Sequence, residues 1–152
     1  MSVHSSNKRI MKKSIYIIAL LSALTSCLDN VYINGDLDGM WQLQKVENVS
    51  NSTIEYPCDI YYSFQRNLTF ISRMNETDVA VRYLGNLYYN SKEGSVTING
   101  LRKFTNEKHI ATTEILRQFM LFDLETVFII KKMDKKQLIM SCGSYTYYLQ
   151  RW

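Results

Sequence analysis

The stretch Asp38-Gly39-Met40-Trp41-Gln42-Leu43-Gln44-Lys45-Val46 opens the folded part of the chain and decides its class. After the turn signal Asp38-Gly39, the residues alternate between apolar and polar, with Trp41 and Leu43 on one face of an extended strand. This is the period of a half-buried β-strand. Val46 breaks the phase, so we expect a β-bulge near Gln44-Lys45, where the strand bends.

The alternation continues in two further runs, which a tight turn at Arg66-Asn67 separates. Tyr62 and Phe64 share the predicted inward face of the first run, and Phe70 lies on that of the second. The pattern therefore predicts a hairpin with aromatic side chains directed into the protein.

The next run, 79–89, places Tyr83 and Tyr89 inward by the same alternation. Gly85 interrupts this run and predicts a kink, because glycine inside a strand often marks a bulge. Asn99-Gly100 is a strong signal for a two-residue hairpin turn.

One stretch in the middle of the chain departs from the two-residue period. Thr113 is a good helix cap, and Ile115, Phe119 and Phe122 follow at spacings of four and three residues. We therefore predict one short helix between residues 112 and 122, of two to three turns, either buried or forming a lid.

The end of the chain contains two successive hairpins, built from the runs 126–133, 137–142 and 145–152. About eight short strands with tight turns and little glycine are typical of a closed antiparallel meander. The predicted fold class is all-β, an antiparallel up-and-down barrel of about eight strands with one short helix.

An apolar run from Ile15 to Cys27 precedes the folded part and follows four basic residues, as in a secretory signal. It is shorter than the about 20 apolar residues that span a bilayer. Its ending, Leu24-Thr25-Ser26-Cys27, resembles the lipobox of bacterial lipoproteins. An ordinary cleaved signal, with an incidental thiol at Cys27, is the alternative. The signal can start at Met1 or at Met11.

The lipobox resemblance implies that Cys27 becomes the first mature residue and carries N-terminal acyl chains such as palmitate. The chain then divides into a lipoprotein signal peptide (1–26), a lipid anchor and tether (27–37) and a barrel domain (38–152). The implied location is the bacterial cell envelope, at the outer membrane, with the periplasmic or surface face left open. The implied partner is the membrane, reached through the acyl chains.

The charge of the mature chain differs from that of the whole sequence. Of the 18 Lys and Arg residues, four precede Cys27, which leaves 14 against the 14 Asp and Glu residues that follow it. The mature net charge is therefore near zero and lacks the basic excess of a nucleic-acid-binding domain, so we expect no nucleic acid partner.

The opening of the first strand carries a further resemblance. Gly39 and Trp41 are similar to the Gly-x-Trp opening of lipocalin barrels, and the last three strands resemble those of small lipocalin-like lipoproteins of Bacteroidetes. The resemblance implies that Gly39, Trp41 and Arg151 close one end of the barrel. Arg151 is the candidate to stack on the Trp41 ring.

Aromatic residues dominate the predicted inward faces. In a barrel of about eight strands they either fill the interior or line a cavity for one small ligand. Buried tyrosine hydroxyls need hydrogen-bond partners, so a tyrosine-rich lumen suits an apolar ligand with a few polar atoms. The candidate ligand-lining residues are Tyr62, Phe64, Phe70, Tyr83, Tyr89 and Tyr147.

Residues for catalysis are sparse in the mature sequence. His109 is its one histidine and has no partner at zinc-ligand spacing, and no nucleophile-elbow pattern is present. We therefore expect no enzyme activity, no cofactor and no metal. Cys58 and Cys142 either form a disulfide, which an exported protein would allow, or remain two separate small side chains.

Two functions remain open from the sequence. The first is a membrane-anchored envelope lipoprotein whose barrel binds a small hydrophobic ligand or a lipid. The alternative is a solid barrel that acts as a protein–protein interaction module in the envelope.

Overall fold

The structure, a computed structural model, describes residues 33–74 and 81–152 of the chain. The predicted signal peptide (1–26) and the predicted lipidation site, Cys27, lie outside the described residues. The described part contains ten strands, a 3-10 turn at Gly35–Leu37 and one α-helix, α1 (Thr113–Arg117). The strands are β1 (Gly39–Asn48), β2 (Thr53–Glu55), β3 (Ile60–Gln65), β4 (Leu68–Arg73), β5 (Val81–Asn90), β6 (Ser95–Lys103), β7 (Asn106–Ile110), β8 (Glu125–Met133), β9 (Gln137–Cys142) and β10 (Tyr145–Arg151).

Eight of these strands form a closed antiparallel ring. Each pairs with its neighbours in the order β1, β3, β4, β5, β6, β8, β9 and β10, and β10 pairs back with β1. The short strands β2 and β7 add to β1 and β6 beside the ring. Closure leaves no free strand edge in the ring, and the predicted eight-stranded barrel with one short helix is confirmed.

Two predicted irregularities occur inside the strands. The pairing of β1 with β10 shifts between Leu43 and Lys45, which confirms the bulge at Gln44. The pairing of β5 with β6 shifts at Gly85, which confirms the kink there. A Cβ atom on Gly85 would lie 2.7 Å from the carbonyl oxygen of Asn99, so only glycine allows the two strands to approach this closely.

The predicted hairpin turn at Asn99-Gly100 is wrong, because β6 runs straight through these residues. Gly100 has a φ of 62°. Gly100 and Leu101 together lie opposite the single residue Gly85, so β6 has one extra residue here, which is a bulge. A glycine with a positive φ occurs in bulges as well as in hairpin turns, so the sequence alone does not distinguish a bulge from a turn.

The predicted inward direction of Phe70 is also wrong. The two-residue turn at 66–67 pairs Gln65 with Leu68, and therefore Phe64 with Thr69. Directly opposed residues of an antiparallel pair share a face. Since Phe64 points inward, Thr69 and Ile71 also point inward, and Phe70 lies on the outer wall.

The barrel has two distinct ends, which strand direction defines. We call the end where β1 begins the tether end; the turns 66–67, 91–94 and 134–136 lie there. The opposite end, which we call the lid end, receives α1. Leu37, which the sequence assigned to the tether, is fully buried in the core, so the folded part includes the 3-10 turn.

Candidate functional site

The barrel interior holds most of the predicted ligand-lining residues. Tyr62, Phe64, Tyr83 and Tyr147 point inward together with Trp41, and each of these five side chains is between 0 and 4% exposed. Their rings pack against neighbours edge to face; the Phe128 and Tyr147 centroids, for example, lie 5.0 Å apart. The alternation of β1, β3, β5 and β10 therefore builds one aromatic core.

A connecting segment, residues 111–121, closes the lid end of this core; we call it the lid segment. Its Leu116, Phe119 and Leu121 side chains are buried although they do not belong to the ring of strands. The Phe119 ring lies edge-on to Tyr83, with centroids 5.5 Å apart. Phe119 therefore fills space at the barrel mouth that no strand residue occupies.

Two interior tyrosines fasten the lid segment to the barrel. The Tyr62 hydroxyl donates to the carbonyl of Phe119 at 2.7 Å, and the Tyr147 hydroxyl donates to the carbonyl of Met120 at 2.8 Å. Burial raises the pKa of both hydroxyls far above the ordinary value, so both remain neutral donors at physiological pH. At the rim, the Arg73 guanidinium donates to the carbonyl of Gln118 at 3.0 Å.

Helix α1 is shorter than the sequence predicted. Thr112, not Thr113, occupies the N-cap position, its side chain makes no capping hydrogen bond, and the helix ends at Arg117. Beyond it the backbone tightens, with Gln118 N–H donating to the carbonyl of Ile115, and Met120 has a φ of 60°. This tightening turns Phe119 into the barrel and presents the two carbonyl groups that the tyrosines bind.

In this conformation the interior is a packed core rather than an open lumen. A side chain beside a cavity large enough for water would have solvent-accessible surface. Trp41, Tyr62 and Tyr147 have none, so no water-sized cavity lies beside them. A ligand could enter the aromatic core only if the lid segment moved.

The tether end is closed by the three residues that the lipocalin resemblance indicated. The Arg151 Cζ lies 4.3 Å from the centre of the Trp41 ring, and the Trp41 indole donates to the carbonyl of Leu37 at 2.9 Å. The guanidinium also donates to the carbonyl of Asp38 at 2.8 Å and to that of Asp36. Gly39 has a φ of 137°, and a Cβ atom there would collide with the guanidinium.

Comparison with known proteins agrees with this barrel. The family model of the lipocalin-like domain matches residues 21–152. The chain belongs to the lipocalin-like domain family.

Two solved structures share the fold of this lipocalin-like domain. A lipocalin-like protein from Bacteroides uniformis superposes with a TM-score of 0.63 at 16% identity, covering 78% of this chain and 100% of that one. An uncharacterized protein from Bacteroides eggerthii gives 0.60 at 17% identity, covering 76% and 99%. Comparison with curated proteins gave no match.

The outer wall of the lipocalin-like domain carries a groove that sequence reasoning missed. It has a volume of about 380 Å³, and its lining includes Met40, Tyr61, Phe70 and Trp152. The Trp152 ring packs edge-on against Tyr61, with centroids 5.1 Å apart. The register across the two-residue turn at 66–67 was the signal that could have placed Phe70 here.

The remaining candidate, Tyr89, lies near the tether end of β5 and is half-buried against the core. It borders a shallow groove with Ile33 and Tyr88. It is therefore separated along its strand from Tyr83, which contacts the lid segment.

Both described cysteines are free in the structure. Cys58 is exposed, and its Sγ lies 3.9 Å from the carbonyl oxygen of Gln44. Cys142 is half-buried at the end of β9, where burial raises the pKa of its thiol. The disulfide that the sequence left open is thus not formed.

His109 lies exposed on β7, which forms a hairpin with β6. Within residues 33–74 and 81–152, no three His, Cys, Asp or Glu side chains lie together in a way that could hold a metal ion. No helix in the same residues is long and apolar enough to cross a bilayer.

Proposed function

We propose that this chain is an envelope lipoprotein, anchored through acyl chains on Cys27, whose lipocalin-like barrel binds a small hydrophobic molecule or a lipid in its interior. The observation that carries the ligand proposal is the lid segment. The barrel mouth is filled by Phe119, whose side chain comes from a connection and not from a strand. Connections rearrange more readily than paired strands do.

Movement of the lid segment would open an aromatic site with polar groups at its mouth. Withdrawal of Phe119 would expose the Tyr83 ring and release the Tyr62 and Tyr147 hydroxyls from their carbonyl partners. An apolar pocket with a few convergent hydroxyls suits a ligand with an apolar body and one or two polar atoms. Each hydroxyl–carbonyl bond contributes about 0.5 to 1.5 kcal/mol, so the fastening is weak enough for a ligand to replace.

The test removes the two hydroxyls without creating a cavity. The double variant Tyr62→Phe/Tyr147→Phe keeps both rings and loses the bonds to the lid carbonyls, so the apolar probe N-phenyl-1-naphthylamine should associate several-fold faster than with the wild type. Tyr148→Phe is the matched control, because its hydroxyl bonds to Glu47 on the outer wall. Equal association rates for all three proteins would contradict entry through the lid.

Native mass spectrometry of the mature protein, purified from its own cell envelope fraction, addresses the natural ligand. We expect an extra mass in the native spectrum that is lost on denaturation. A bare polypeptide in both spectra would argue against a tightly held ligand.

The anchor has an independent test. Cys27→Ser should remove the acyl mass and release the protein from membranes, since several acyl chains are needed for stable anchoring. Retention of the variant on membranes would contradict the lipobox interpretation. The proposed location is the cell envelope, at the outer membrane.

A solid interaction module is the second candidate, and the complete burial of the interior side chains favours it. The outer-wall groove beside Phe70 would then provide the contact surface. Under this alternative, Phe70→Ser should reduce partner binding, whereas the double variant Tyr62→Phe/Tyr147→Phe should leave partner binding unchanged. Neither candidate is catalytic, and a His109→Ala variant that lost an enzymatic activity would contradict both.

A further inference from the structure

The tether end of the barrel exposes apolar and aromatic side chains. Ile33 is 62% exposed, Leu68 40%, Tyr88 58% and Trp152 68%. Ile33 and Tyr88 border one shallow groove with Arg66, and Trp152 lies beside Met40 at the start of β1. These side chains lie at, or within a few residues of, the turns that form this end.

The same end carries an excess of positive charge, although the mature chain as a whole is balanced. Six basic side chains are exposed here against three acidic ones that are exposed or half-exposed. The basic residues are Arg66, Lys92, Lys131, Lys132, Lys135 and Lys136, and the acidic ones are Asp36, Glu93 and Asp134. The inward-facing Asp38 and Arg151 add no net charge.

The chain length between the anchor and the barrel is short. Five residues, 28–32, separate Cys27 from Ile33, the first described residue. Even a fully extended chain of this length spans only about 20 Å. An acylated Cys27 would therefore keep the tether end within that distance of the lipid head groups.

We propose that the tether end of the barrel docks on the surface of an anionic bilayer. This inference rests on the proposed lipid anchor at Cys27. Lysine side chains at this end contact lipid phosphates, and Tyr88 and Trp152 lie at the level of the head groups, where tyrosine and tryptophan are favoured because one end of each ring system is polar. The lid end then faces away from the membrane, and the proposed ligand enters from the aqueous side.

Lysine footprinting of the wild-type acylated protein tests this orientation. The protein is reconstituted into phosphatidylcholine vesicles with and without phosphatidylglycerol and treated with a water-soluble acetylating ester. Lys92, Lys135 and Lys136 at the tether end should react several-fold more slowly with phosphatidylglycerol present. Lys103 and Lys108 lie exposed toward the lid end and are internal controls that should not change.

The outcomes separate the inference from the anchor on which it rests. Intact mass first establishes whether acyl chains are present, and an unacylated chain would overturn the anchor and the docking together. If the chain is acylated but phosphatidylglycerol slows the reaction of neither lysine group, the docking alone is overturned. Protection of Lys103 and Lys108 instead of the tether-end lysines would also overturn only the docking.

A charge variant provides a second measurement on the anchored protein. Trp41 is buried, so quenching of tryptophan emission by the neutral quencher acrylamide reports mainly on Trp152. Lys92→Gln/Lys135→Gln/Lys136→Gln should increase acrylamide quenching on anionic vesicles, because the tether end loses contact with the lipid. Arg102→Gln/Lys103→Gln/Lys108→Gln is the matched control. Equal quenching of both variants and the wild type would contradict the docking.

Discussion

At the scale of single residues, the closure of the tether end depends on the contact between Trp41 and Arg151 and on the absence of a side chain at Gly39. Trp41 is held between the carbonyl of Leu37 and the guanidinium of Arg151. The guanidinium in turn occupies the space that a side chain at Gly39 would take. The close packing of Arg151 on Trp41 is therefore possible only because residue 39 is glycine.

Gly39→Ala should destabilise the protein by about 2 to 4 kcal/mol, because a positive φ is strained in alanine and the new Cβ displaces Arg151 from Trp41. Gly143→Ala is the matched control, since Gly143 also has a positive φ but has open space where the Cβ would lie. Urea unfolding measures both variants. An equal loss of stability in the two would show that the guanidinium contact does not matter.

A substitution at Thr69 is expected to stabilise the protein rather than destabilise it. Its side chain is fully buried, and its Oγ1 has no hydrogen-bond partner among the described residues. Thr69→Val should therefore stabilise the barrel by about 1 kcal/mol, since it replaces an unpaired hydroxyl with a methyl group of similar size. In the control Thr126→Val, loss of the bond to the carbonyl of Asp123 should destabilise by about 1 kcal/mol. Thermal unfolding that lowers the Tm of both variants would contradict the assignment at Thr69.

At the scale of elements, the seam between β1 and β10 carries a polar cluster on its outer face. Lys45 Nζ lies 2.7 Å from the Glu47 carboxylate and 3.8 Å from the centre of the Tyr148 ring. The Tyr148 hydroxyl also donates to Glu47, at 2.6 Å. The bulge at Gln44 sets the register that brings these three side chains together across the strand pair.

The Glu47 carboxyl should titrate below its ordinary pKa of 4.5, mainly because of the Lys45 hydrogen bond and secondly because of the Tyr148 hydroxyl. A pKa that is lowered on folding contributes stability above the unfolded-state pKa, and this contribution is lost as the pH falls through the folded-state pKa. Carboxyl NMR shifts should show the Glu47 midpoint rising in Lys45→Met and rising less in Tyr148→Phe. A larger rise in Tyr148→Phe than in Lys45→Met would show that the Tyr148 hydroxyl, and not Lys45, is the main cause of the lowered pKa.

At the scale of the whole molecule, one core serves the complete ring of strands and both end closures. Trp41 pairs with Arg151 of the last strand and with Tyr62 of β3, so its surroundings form only when the barrel is closed. Leu37 from one end and Phe119 from the other belong to the same buried cluster. The described domain is therefore expected to unfold as one cooperative unit.

The measurement uses Trp152→Phe, which leaves Trp41 as the reporter of barrel closure. Urea transitions followed by tryptophan emission and by far-ultraviolet circular dichroism should coincide, as two-state unfolding requires. Loss of the Trp41 signal before the loss of strand structure would show that the seam opens separately.

Strand alternation and glycine positions are local properties, so the order of residues alone predicts the class of fold, the closed ring of about eight strands, the bulge at Gln44 and the inward faces of β1, β3 and β5. Three features depend instead on contacts in the folded protein: Phe70 faces outward, Gly100 forms a bulge rather than a turn, and Phe119 fills the barrel mouth. Each of these depends on which residue lies opposite or above another, and contacts between distant parts of the chain leave no periodic trace in the sequence. Composition fixes the net charge of the mature chain near zero. The positive excess at the tether end arises because the barrel brings separate turns together at that end.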